Sequence, residues 1–282
     1  MDLEISSFEG WELLDSGGER KLERMGALVL DRPCPQAIWP QADRARWKRV
    51  HAAFARKESG QGDWAKLTGA KEAWPAAWGD VRFELRLTGF GNVGLFPEHA
   101  AHWAWMQALL RGRPKARVLN LFGYTGGASM ACARAGADVT HVDAARSVNG
   151  WAAENAALSA PFAGAIRYLA EDAAKFVKRE ARRGSRYDGI ILDPPTFGRG
   201  AKGEVWKIER DLWPLLDDCA AILAQRPLFA LLTAHSPGVT PRVLETALSR
   251  LGAPKQIAFG EMLLKGAGPL LPAGAYARAE YL

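Results

Sequence analysis

Four short stretches of this 282-residue chain combine acids, glycines and prolines in ways that can do chemistry. The most distinctive is Asp193-Pro194-Pro195-Thr196-Phe197. Two consecutive prolines stiffen a backbone and remove two N–H donors. The Pro194 carbonyl is then left to accept from an amine, and Phe197 offers a face on which a flat base can stack. A second stretch, Asn120-Leu121-Phe122-Gly123-Tyr124-Thr125-Gly126-Gly127, is a tight turn whose glycines let a ligand approach the backbone. It is not GxGxxG, so the usual dinucleotide fingerprint is absent and a nicotinamide oxidoreductase is disfavoured. Alone, such a turn reads equally well as structural. Asp143 follows about 20 residues later, where an acid can accept from both hydroxyls of a ribose. Glu171-Asp172 is the fourth piece, suited to accepting from an adenine amino group. Both acids can also serve as helix caps.

The elements around these residues alternate. Arg117–Phe122, Asp138–Asp143, Ile166–Leu169 and Tyr187–Asp193 read as buried strands. Between them, Ala128–Ala135, Ser147–Leu158 and Ala173–Arg183 read as helices, with His99–Arg111 as a helix before the first strand. Strand–helix alternation at this spacing predicts an α/β fold with a doubly wound, Rossmann-like parallel sheet covered on both faces. Each candidate residue then falls at or just beyond the carboxyl end of a strand, where open sheets bind ligands. The chain before this region reads differently. Ala27–Pro33, Asp63–Leu67 and Val81–Leu87 look like strands, and Gln41–Lys57 has helical spacing through Trp47, Val50 and Phe54. We read residues 1–92 as a small strand-rich N-terminal domain and 93–282 as the catalytic domain.

These four pieces, in this order, resemble the class I methyltransferases, and more narrowly the bacterial 23S ribosomal RNA enzymes that modify cytosine C5 or guanine N7. The matching stretches are VLNLFGYTGGASMACARAGADVTHVDAARSVNGWAAENAALS, LAEDAAKF and YDGIILDPPTFGRG, with LPAGAYAR similar to the family's C-terminal strand. The resemblance covers roughly residues 90 to 282. It implies S-adenosylmethionine as cofactor, with Phe122, Gly123, Tyr124, Thr125 and Gly126 around its methionine end, Asp143 on the ribose and Asp172 on adenine. Ser147 is a further candidate for touching the cofactor. Asp193, Pro194, Pro195 and Phe197 would face the target base, with Asp193 also bordering the cofactor. The Ser147, Trp151, Glu154 and Asn155 positions match the same pattern.

The target atom can be narrowed. Carbon-5 of cytosine is a poor nucleophile, and enzymes that methylate it first attack C6 with a cysteine. In the cytosine-C5 relatives that cysteine follows a later strand; here the matching segment, Phe229 to Pro237, has none. Cys132 and Cys219 fall in helical patterns and read as packing. A base nitrogen already carries a lone pair and needs no covalent step. His235, after that strand, is a candidate proton relay or substrate contact, and equally a structural histidine.

Composition fits this reading without carrying it. The net charge is +6, compatible with a polyanionic partner, but basic residues are spread along the chain. Three sets stand out: Lys175 to Arg186, Arg44 to Lys57, and Arg199, Lys202 and Lys207 beside the Asp-Pro-Pro motif. The first two read as solvated faces. The third reads as a glycine-rich, mobile basic loop that holds phosphates. Three cysteines without CxxC spacing suggest neither a disulfide framework nor a metal site. No signal peptide or membrane span is visible, so a cytoplasmic protein is expected. The expected partner is RNA, most simply large-subunit ribosomal RNA. Another RNA, a protein or a small molecule as substrate, or a non-catalytic RNA-binding protein, are the competing readings.

Overall fold

The computed structural model describes residues 1–58, 60–67, 69–159, 162–200 and 203–282. The chain divides into two compact units. One comprises Glu4–Ala100 with Leu263–Ala273, the other Met1–Leu3, Ala101–Met262 and Gly274–Leu282.

After β1 (Leu3–Ile5), the first unit is built from β2 (Trp11–Gly17), β3 (Arg20–Met25), β4 (Leu28–Pro33), β5 (Ala52–Arg56) and β6 (Gly62–Lys66). These form a five-stranded sheet in sequence order, parallel only between β4 and β5. A separate hairpin pairs β7 (Ala73–Trp78) with β8 (Val81–Arg86). Glu23, fully buried in β3, accepts from the Trp11 indole and from Arg32. Burial pushes its pKa up, but Arg32, Lys21 and the hydrogen bonds win and hold it at about 2. Residues from near the C-terminus complete this unit. The Lys265 N–H donates to the Ile5 carbonyl (2.9 Å), and Gly266 lies flat against Leu13.

The expected helix over Gln41–Lys57 is wrong. Only Arg46–Lys48 makes a helical turn, and Ala52–Arg56 is strand β5. The apolar residues that suggested a helix serve two structures. Trp47 donates its indole N–H to Asp15 (2.8 Å), whereas Phe54 is buried in the sheet with its ring against Trp64. Ala52 and Phe54 are both buried, two positions apart, so a period of 2 governs there.

The second unit alternates strand and helix. It begins with α1 (Ala100–Leu110), β9 (Arg117–Leu121), α2 (Gly127–Arg134), β10 (Asp138–Asp143), α3 (Arg146–Leu158), β11 (Ile166–Ala170), α4 (Ala173–Arg182) and β12 (Gly189–Leu192). A short hairpin, β13 (Phe197–Arg199) and β14 (Val205–Lys207), precedes α5 (Ile208–Ala220). Then come β15 (Phe229–Ala234), α6 (Pro241–Leu248), β16 (Gln256–Leu264) and β17 (Leu271–Glu280). The sheet runs β1-β16-β17-β15-β12-β9-β10-β11. Strands β11, β10, β9, β12 and β15 are parallel, and β17 is antiparallel to β15. This is the doubly wound α/β sheet that the alternation predicts. The central strands are buried on both faces: all of β12 and β15, and four of five residues of β9. Phe176 and Val177 of α4, Leu215 and Leu216 of α5 and Leu244 of α6 pack with them in one core. From β9 the chain winds outward to β11, then returns to β12 and winds the other way. That reversal leaves a crevice between the carboxyl ends of β9 and β12. Among the described residues, no helix is long and apolar enough to cross a membrane.

Candidate active site

The turn after β9 is a folded loop under local strain. Phe122 and Tyr124 have φ of 58° and 48°, conformations that cost an L-residue about 1–3 kcal/mol each. Hydrogen bonds hold them there. Gly123 N–H donates to the Val142 carbonyl (3.1 Å), and Tyr124 N–H to the Asp143 carboxylate (3.1 Å). Gly126 N–H donates back to Gly123 (3.0 Å), with Gly126 itself at φ 89° opening α2. Gly123 has no room for a side chain, since a Cβ would lie 2.4 Å from the ring of His141.

His141, in β10, forms the floor of this loop. It is fully buried, and its Nδ1 is 2.9 Å from Ser129 Oγ, which accepts from Asn120 (2.8 Å). Burial pushes its pKa down to about 4, against a smaller upward pull from the Tyr124 backbone, so the imidazole is neutral. Asn155 in α3 ties the other side of the loop by donating to the Thr125 carbonyl (3.0 Å), while Trp151 meets Tyr124 edge to face.

Asp143 ends β10 beside this loop. One carboxylate oxygen accepts from Tyr124 N–H, the other from Ala145 N–H (2.9 Å). Burial raises its pKa above the ordinary 3.8, and the two N–H donors pull it back in part. Each oxygen keeps a lone pair, which suits a diol. Asn149 grips the same corner, donating to the carbonyls of Asp143 (2.9 Å) and Ala145 (3.1 Å). Its own Oδ1 is buried without a partner. Ser147 is exposed in the first turn of α3.

Asp143 is paired with Ala170 across the sheet, which sets Glu171 and Asp172 just beyond the neighbouring strand end. Asp172 caps α4, accepting from Lys175 N–H (2.9 Å), which uses one of its oxygens. Glu171 is committed to an ion pair with Arg179.

Across the crevice, Leu192 pairs with Leu121, so Asp193 and Phe122 leave adjacent strands side by side. Asp193 accepts from the Thr233 hydroxyl (2.6 Å), and His235 Nε2 is 3.7 Å from the same oxygen. Pro194 is buried, whereas Pro195 and Phe197 are exposed. The structure thus gathers Phe122 to Gly126, Asp143, Asp172 and the Asp193 segment at neighbouring ends of one sheet. Ser147 stands at the edge of this group.

The segment read as a mobile basic loop is instead a hairpin, β13–β14, over Phe197–Arg199 and Val205–Lys207. Trp206 anchors it, donating to the Pro195 carbonyl (2.7 Å) and packing 4.9 Å from the Phe122 ring. Lys202 lies outside the described residues. The α4 cations are largely spoken for, Lys175 by Glu204, Arg179 by Glu171 and Arg183 by Glu180. Cys132 and Cys219 are buried, and burial pushes both thiols far up, so neither forms a thiolate. Asn149, Thr233 and Trp206 escaped the sequence reading. Their types carry no motif, and only their placement shows a use.

These features fit an adenosyl sulfonium. The loop is glycine-rich, and the largely buried Asp143 beside it keeps acceptor capacity beyond its two backbone N–H bonds. Comparison with known proteins gives the same answer. The family model for S-adenosylmethionine-dependent methyltransferases matches residues 39–227. A SAM-dependent methyltransferase of Agrobacterium tumefaciens, known from a crystal structure, is 40% identical, with 99% of this chain and 93% of that one covered and a TM-score of 0.93. A Streptococcus mutans methyltransferase shares the fold at 16% identity, with a TM-score of 0.75 over 97% of this chain and 76% of that one. Ribosomal RNA large subunit methyltransferase K/L of Hahella chejuensis is 33% identical over 60% of this chain. That match spans 23% of the relative's length, and a second relative of the same name, from Alteromonas mediterranea, is spanned to 28%. With its sheet, its crevice and two thirds of its length matched, the chain belongs to the S-adenosylmethionine-dependent methyltransferases and is an enzyme that takes its methyl group from that cofactor.

Proposed function

We propose that the protein methylates a nitrogen of a base in large-subunit ribosomal RNA. The observation that carries this is the side-by-side exit of Phe122 and Asp193 from paired strands, which sets a base-accepting motif against the cofactor loop. S-adenosylmethionine, when bound, supplies an electrophilic methyl on a sulfonium. Phe122, Gly123, Tyr124, Thr125 and Gly126 would hold its methionine end, Asp143 its ribose, and Asp172 its adenine through the oxygen not used in capping. Ser147 would border the same group.

On the acceptor side, the Asp193 carboxylate and the Pro194 carbonyl accept from the N–H groups of the base and turn a nitrogen lone pair toward the donor. Positioning of this kind supplies much of the catalysis in an in-line displacement. The Thr233 hydroxyl fixes the Asp193 rotamer. Pro195 keeps the turn rigid, and exposed Phe197 stacks on the base. Nitrogen is favoured over carbon because the protein offers no thiolate for a covalent step, all three cysteines being buried. The names of the ribosomal relatives support the choice of RNA, and a protein acting on ribosomal RNA would act in the cytoplasm.

Mass mapping of ribosomal RNA from a deletion strain tests the proposal. One base-nitrogen methyl should vanish from large-subunit RNA and return on complementation with the wild type but not with Asp193→Ala. An unchanged map, or loss of a carbon-5 methyl, would refute it.

A further inference from the structure

The β13–β14 hairpin has two unlike faces. Phe197 lies opposite Lys207, Gly198 opposite Trp206, and Arg199 opposite Val205. Side chains alternate across a strand and directly opposed residues share a face. Trp206 therefore points inward with Gly198 beside it, and Phe197, Lys207, Arg199 and Val205 share the outward face. The exposures agree: Trp206 is 9% exposed, Phe197 50% and Val205 40%. The inward face is fixed by the Trp206 bond to Pro195 and its ring contact with Phe122.

The outward face is chemically unusual for this surface. Two apolar side chains alternate with two cations, and the Arg199 guanidinium lies over the Phe197 ring at 5.9 Å. Among the described residues, neither Arg199 nor Lys207 forms an ion pair with an acid. Asp211 accepts from the Lys207 backbone N–H and pairs with Arg210, and the Lys207 charge acts on it without forming an ion pair. Lys175, Arg179, Arg183 and Arg250 of the same unit, by contrast, each have a carboxylate partner. Cations without an ion-pair partner, interleaved with an exposed ring, match a ligand with an anionic backbone and flat apolar faces, which is single-stranded nucleic acid.

We infer that the outward face of β13–β14 is a preformed seat for the single-stranded RNA flanking the acceptor nucleotide, with Arg199 and Lys207 on its phosphates and Val205 against the neighbouring sugar or base. The inference rests on the RNA reading above and assigns it a surface. Because the seat is a hairpin anchored on the cofactor loop, strand and methyl donor are located by one rigid piece.

The test uses the full chain and unmodified large-subunit rRNA transcribed in vitro. RNA affinity is measured as a function of salt, with calorimetric S-adenosylmethionine binding as the check on folding. Each phosphate contact in a single strand contributes about 0.7 to the slope of log affinity against log salt. Arg199→Gln/Lys207→Gln should reduce that slope by about 1.4 and weaken RNA binding on the order of tenfold or more, with cofactor binding retained. Arg182→Gln/Arg183→Gln on α4 removes the same charge and should leave the slope unchanged. Equal slopes for the wild type and the hairpin variant, or equal losses in both variants, would overturn the seat while leaving the RNA reading standing. A wild-type protein that neither binds nor methylates the transcript would remove both.

Discussion

The two sides of the crevice hold their acids by different means. Asp143 is gripped by two backbone N–H groups, Tyr124 of the strained loop and Ala145 just after β10, and is largely buried. Asp193 is held by a side-chain hydroxyl and stands next to an exposed ring. The cofactor side is thus built for one ligand of fixed shape, with little freedom left in its frame. The acceptor side positions one carboxylate firmly and leaves the surroundings open to a larger partner. Rigidity belongs where the methyl must point, and access belongs where the substrate must enter.

Substitutions can break this contrast. The largest effect is expected from Gly123→Val. Its side chain has no space above His141, so the loop must shift and S-adenosylmethionine binding, measured by calorimetry, should fall by about 100-fold or more. Asp193→Asn should lower turnover by roughly 10² to 10³, with cofactor affinity within a few-fold of wild type. Were affinity to fall as far as turnover, the division between the two sides would be lost. Thr233→Val removes one hydrogen bond to Asp193, worth about 1–1.5 kcal/mol, and should slow kcat roughly tenfold.

A pH titration sharpens the same contrast. In the proposed role Asp143 accepts from both ribose hydroxyls in its ionised form, and its pKa in the free protein is raised above 3.8. Cofactor affinity should therefore hold at neutral pH and decline as pH falls through that raised value, before an ordinary aspartate would protonate. In Asp143→Asn the affinity should be weaker and lack this decline. The smallest effect is expected from replacing all three cysteines with alanine. Some stability is lost from the core, but turnover per folded molecule should match wild type. Loss of turnover with the fold intact would restore a covalent route.

The cofactor side was the more legible in sequence because its signals are local. Buried strand runs such as Val118-Leu119-Asn120-Leu121, the glycines of the turn and an acid at the next strand end all lie where the chain itself sets the geometry. The acceptor side depends on residues brought from afar. Thr233 reaches Asp193 across 40 positions, and nothing in Leu-Leu-Thr-Ala announces it. The hairpin was read as a loop because its strands are three residues each and glycines surround them. What orders it is Trp206, packed on Phe122 more than 80 positions earlier in the chain. His141 carries no signal in sequence beyond its place in a strand, and its use as the floor of the loop follows only from the pairing of β10 with β9. Gln41–Lys57 failed for the opposite reason, since two unrelated contacts happened to fall at helical spacing.

The strand-rich unit, though it opens the chain, is closed by Leu263–Ala273. A ribosome that has made the first hundred residues has not yet made the segment that bonds Ile5 and covers Leu13. Folding of this unit cannot simply follow synthesis from the N-terminus, as it does for many domains. Arrested nascent chains released before residue 263 should leave residues 4–100 open to protease, and chains extended past 273 should protect them. Protection already complete in the shorter chains would show that the late segment only seals a unit formed without it.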